Sequence, residues 1–65
     1  MKTHRARYWR EGDVWEVELV DDERVHTFAS TLGRARHNIR EATAAMYDLD
    51  LEEVRIDMLV GERPL

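Results

Sequence analysis

Two runs of alternating side chains, residues 3–10 and 14–20, flank the short polar spacer Glu11-Gly12. Successive side chains of a strand point to opposite faces, so such runs read as half-buried strands, and a spacer this short restricts them to a hairpin. Closing the loop on Glu11-Gly12 sets Arg7 against Glu16 and Arg5 against Glu18 on one face, where opposite charges meet across strands. The same register sets Tyr8 against Trp15, Ala6 against Val17 and His4 against Leu19 on the other face, an apolar set. Charge and hydrophobicity thus agree on one pairing. Asp21 to Arg24 reads as a turn, and Val25 to Ala29 as a third strand with two possible facings. Pairing through a two-residue loop sends Phe28 inward and leaves Val25 on the open face. A bulge in the turn would invert the strand and send Val25, Thr27 and Ala29 inward instead.

A helix follows. Thr31 suits its N-cap, and Leu32, Ala35, Ile39, Ala42 and Met46 recur on one helical face. Leu49 and Leu51 lie in an acidic connection, after which Val54, Ile56, Met58 and Val60 alternate with Arg55, Asp57 and Leu59 as a fourth strand. A strand that follows a helix after an antiparallel meander most simply makes a right-handed crossover and joins beside the first strand, parallel to it. The expected fold class is therefore α+β, of βββαβ order: a four-stranded mixed sheet with one helix packed on one face. No linker or repeat divides the chain, so residues 1–65 read as a single domain.

At 65 residues the chain lies above the roughly 40-residue floor for independent folding by a modest margin, and covering more apolar surface would add to its stability. A homodimer is therefore expected. The absence of cysteine rules out disulfides and thiolate metal sites and fits a reducing, cytoplasmic setting. The segment MKTHRARYWR has no apolar core of a signal peptide, no run is long enough to span a bilayer, and no membrane role is expected. Net charge is −4, distributed in blocks: residues 1–10 and 24–40 carry bases without acids, residues 11–23 acids without bases, and residues 41–65 mostly acids. A globally acidic chain binds polyanions poorly, so a nucleic-acid role would need a local basic face. Nine of the ten bases are Arg, which favours bidentate pairing with carboxylate or phosphate.

The segment Trp15-x-Val17-x-Leu19, and Thr27 followed by Thr31-Leu32-x-x-Ala35-x-x-Asn38-Ile39-x-Glu41-Ala42, resemble the second strand and the strand-to-helix signature of the HicB-like antitoxins. The resemblance spans nearly the whole chain. It implies a small βββαβ domain like a truncated ribonuclease H fold, acting without catalysis as a module that neutralises a small ribonuclease toxin by direct binding. It does not extend to the DNA-binding segment that follows this domain in many members. The alternatives are a small regulatory nucleic-acid-binding domain and an orphan structural dimer.

An active ribonuclease H site needs several carboxylates converging on metal ions, one of them from the centre of the first strand, and Arg5 and Arg7 stand there. With Asp57 and Glu41 on separate elements and His4, His26 and His37 at no ligand spacing, no catalytic group, metal or cofactor is expected. The anomaly is Arg34, Arg36, His37 and Arg40, which put positive charge in the first half of a helix, where the macrodipole favours acids. They are the candidate partner-binding residues. Trp9, Val14, Val20 and Val25 form the candidate dimer interface on the open sheet face.

Overall fold

The computed structural model describes residues 2–61. Strands β1 (Thr3–Glu11), β2 (Val14–Leu19) and β3 (His26–Ala29) are followed by helix α1 (Leu32–Tyr47), a short 3-10 turn at Leu51–Glu53 and strand β4 (Arg55–Val60). The sheet order is β3-β2-β1-β4, with β4 parallel to β1 and the other pairs antiparallel. This is the expected four-stranded mixed sheet with one helix on one face, and the crossover returns β4 to the place foreseen for it.

The first hairpin closes on Gly12-Asp13 and not on Glu11-Gly12, because Glu11 pairs with Val14. Two-residue hairpin loops need a positive φ at their first residue. Gly12 supplies it at 58°, a conformation that costs a glutamate side chain more than a glycine. Each β1 residue therefore faces a β2 partner two positions further along than expected: Arg7 meets Glu18, Tyr8 meets Val17 and Ala6 meets Leu19. A shift of two leaves every side chain on its expected face. Ala6, Val17 and Leu19 are buried in the core.

The third strand takes the other facing. Residues 20–24 form a five-residue loop, closed by the Leu19 N–H donating to the Val25 carbonyl at 3.0 Å, and this odd loop length inverts the facing that a two-residue loop would give. Val25 and Ala29 enter the core and Phe28, at 63% exposure, stands on the open face. The inward placement of Phe28 and the outward placement of Val25 are both overturned by that loop.

Helix α1 starts where Thr31 Oγ1 accepts the Arg34 N–H at 3.1 Å and ends at Asp48, whose left-handed backbone lets its own N–H and that of Leu49 close the last turn on α1 carbonyls. Ala35, Ile39, Thr43 and Ala44 are its buried residues. The seam follows steps of four through 35, 39 and 43, so the expected stripe holds at Ala35 and Ile39 but not at Met46, which is 44% exposed. Thr43 is buried without penalty because its hydroxyl donates to the Ile39 carbonyl at 2.7 Å. Val54 and Ile56 complete the core from β4.

Candidate functional site

Among the candidate partner-binding residues, Arg36, His37 and Arg40 line one open groove of about 630 Å³ between α1 and the start of β4. Its floor includes Val54 and Ile56, Arg55 adds a further cation, and Asp57 is the acid on its wall. Arg40 is held in place by its Nε, which donates to the Val54 carbonyl at 3.0 Å, and His37 pairs with Glu41 one turn on. Arg34 stays outside the groove, on the exposed first turn. α1 lies mainly over β3 and β2, which is why this end of the core face is left open.

The candidate dimer residues do not form one exposed patch. Val25 belongs to the core, for the loop-length reason given above, and Val14 is half-buried. Trp9 is only 8% exposed although it lies on the open face, with the His26 ring 5.9 Å from its own. That face is laced by its own polar contacts: Arg7 donates to Glu18 from Nε at 3.1 Å and from Nη2 at 2.7 Å, and His26 Nε2 lies 2.7 Å from Glu16. Arg5 faces Asp57 across the β1–β4 ladder. Val20, Phe28 and Leu59 are the exposed apolar side chains left there.

The opposite end of the helix is acidic. Ala44, Ala45, Leu49 and Leu51 line a shallow hollow of about 370 Å³ together with Glu41, Asp48 and Asp50. Met46 and Tyr47 on the same last turns are also exposed. Nearby, Tyr47 ties the helix to the β2–β3 loop: its hydroxyl donates to Asp22, which also accepts from Arg24 at 2.8 and 2.9 Å. The Arg24 guanidinium, and after it the Tyr47 hydroxyl, hold the Asp22 carboxyl well below the usual carboxylate range. The Asp22 carboxylate in turn pushes the Arg24 and Tyr47 ionisations upward. His4 stacks on Tyr47 with ring centroids 5.6 Å apart. Among the described residues no three His, Asp or Glu side chains lie close enough together to hold a metal ion. No described helix is long and apolar enough to cross a membrane.

Comparison with known proteins returns no match from family models, curated proteins or solved structures. The fold therefore defines a class, a small α+β domain of βββαβ order, and the surfaces above carry the functional argument.

Proposed function

We propose that this domain is a non-enzymatic protein-binding module of the antitoxin type, which neutralises a small basic ribonuclease in the cytoplasm by direct contact. The observation that supports this reading most directly is the hollow at the end of α1, where apolar atoms of Ala44, Ala45, Leu49 and Leu51 lie among Glu41, Asp48 and Asp50. Apolar area covered on binding supplies affinity, and carboxylates around it steer a basic partner and fix its orientation. The βββαβ order supports the reading at the level of fold, being the order that the HicB-like resemblance implies. The absence of catalysis is supported by β1, whose central positions carry Arg5 and Arg7 where a metal-dependent nuclease needs a carboxylate.

The test is co-expression with a small basic ribonuclease toxin, taken from an adjacent reading frame where one encodes such a protein. The domain should restore growth, and Asp50→Lys with Leu51→Lys should abolish the rescue while the variant still accumulates as folded protein. Failure of the unaltered domain to rescue growth at any expression ratio would contradict the reading.

A second reading, a regulatory nucleic-acid binder, is favoured by the groove lined by Arg36, His37, Arg40 and Arg55. A net charge of −4 weighs against it, because long-range repulsion opposes a polyanion that the groove alone would attract. A gel shift of RNA or DNA that weakens with salt and disappears in Arg36→Glu/Arg40→Glu would move the function to this surface.

A further inference from the structure

The sheet ends in two edges of different character. β3 is four residues long and packs closely under α1, whereas β4 runs for six residues, carries neither Pro nor Lys, and pairs with β1 in an unbroken register. Arg55 and Asp57 are its two charged residues, and Asp57 faces Arg5 of β1; with neither Pro nor a bulge, an edge of that length is a template for another strand. Its polar groups can be assigned. The Gly61 N–H donates to the Tyr8 carbonyl at 2.8 Å, so the odd-numbered residues at this ladder are the ones bonded to β1. In a parallel ladder the alternate residues turn away, which leaves the N–H and C=O groups of Ile56, Met58 and Val60 directed at the open edge.

We propose that β4 pairs antiparallel with β4 of a second copy, about a two-fold axis through Met58, to make one continuous sheet. Four registers compete, and the observations select among them. An axis through Leu59 pairs only Met58 with Val60 and leaves Ile56 outside the paired strands. An axis through Asp57 places that carboxylate directly opposite its own copy, a like-charge contact. An axis through Ile56 requires Val54 to pair, yet the Val54 N–H already donates to Leu51 at 3.1 Å and its carbonyl already accepts Arg40 at 3.0 Å. An axis through Met58 uses the three outward-facing residues and opposes Ile56 to Val60, Asp57 to Leu59 and Met58 to itself, with no like charges in contact.

That register also covers the most exposed aliphatic side chain on the sheet. Val60 is 82% exposed, and it would lie beside Ile56 of the second copy, whose side chain forms part of the groove floor. The groove cations flank residues 54–57, so antiparallel pairing carries the two sets to opposite ends of the joined strands and they do not face one another. The contact is isologous, as a closed two-fold dimer requires. The residues that line the hollow at the end of α1 lie outside the paired stretch 56–60, so the proposal does not rest on what binds there.

The chain contains no cysteine, so a single introduced thiol reports its own surroundings. Directly opposed, hydrogen-bonded residues of antiparallel strands lie about 5.5 Å apart at Cα, within the range a disulfide spans. Sedimentation equilibrium of the unaltered chain should show a concentration-dependent dimer, and mild oxidation of Met58→Cys should link it covalently. Phe28→Cys, on the open sheet face, should remain unlinked. Val60→Lys should be monomeric at concentrations where the unaltered chain is dimeric, with an unchanged circular dichroism spectrum. A chain that stays monomeric at millimolar concentration would overturn the proposal. So would a dimer linked by Phe28→Cys and not by Met58→Cys, which would place the interface on the open face.

Discussion

Val25 and Phe28 lie three residues apart and carry opposite consequences for substitution. Val25 is 2% exposed and in contact with the core, so Val25→Asp buries a carboxylate without a partner. That costs several kcal/mol, against a total stability of roughly 3–10 kcal/mol for a chain of this size at ordinary per-residue values. Phe28→Thr, on the open face opposite Glu16, should change stability by about 1 kcal/mol or less. Urea denaturation followed by circular dichroism separates the cases: Val25→Asp unfolded in buffer and Phe28→Thr still folded is the expected result, and equal losses would contradict the facing. The difference was not legible from the composition of the third strand, because Val25, Thr27 and Ala29 make as good an apolar row as Phe28 with its neighbours. The loop decides it, and loop length is set by contacts that propensity does not reveal, here the Val25 N–H to the Asp22 carbonyl and the Arg24 N–H to the Asp22 side chain. Gly12 is the converse case. Its need for a positive φ moves the first hairpin by one loop position, and glycine, which adopts that conformation at little cost, marks the loop's first residue in the sequence itself.

Among the elements, helix and sheet differ in how far pattern alone carried. Strand identity, the parallel return of β4 and the burial of Ala35 and Ile39 follow from period and connectivity, since one face of each element must be covered. Met46 did not follow, because the row that meets the sheet depends on the angle at which α1 crosses it, and a single stripe of apolar residues fits more than one angle. The contact that fixes the end of α1, Tyr47 to Asp22 and Arg24, joins residues far apart in sequence and left no periodic trace. It has a pH signature. Asp22 ionises more readily folded than unfolded, so it contributes stability that is present above the ordinary aspartate value of about 4 and is lost as pH falls below it. Tyr47 is held in its neutral form, so its contribution is present below the ordinary phenol value of about 10 and is lost as pH rises through its elevated folded value. A melting temperature recorded across the pH range should therefore fall at both ends. Asp22→Asn should lower the plateau and flatten the acid limb, and Tyr47→Phe should flatten the alkaline limb. An acid limb of Asp22→Asn as steep as that of the unaltered chain would show that other carboxylates govern it.

Over the whole molecule the charge is divided along α1, with Arg34, Arg36, His37 and Arg40 on its first half and Glu41, Asp48 and Asp50 towards its end. The basic half was legible in the sequence because it opposes the helix dipole, and three of its four residues come together in one groove. The acidic hollow was not, because Leu49 and Leu51 could only be read as parts of a connection until the 3-10 turn at Leu51–Glu53 placed them beside Ala44 and Ala45. The proposed function seats a small basic protein in this hollow. Calorimetric titration of the purified domain with a small basic ribonuclease toxin that it neutralises in co-expression is the test, with Asp50→Lys/Leu51→Lys and Arg36→Glu/Arg40→Glu titrated in parallel after their melting temperatures have been compared with that of the unaltered chain. Binding in this hollow should be saturable, weaken as salt is raised, be lost in the Asp50/Leu51 variant at temperatures where that variant remains folded, and be retained in the Arg36/Arg40 variant. Binding of equal strength to the folded Asp50/Leu51 variant, or no heat of binding to the unaltered domain at two well-separated temperatures, would contradict it.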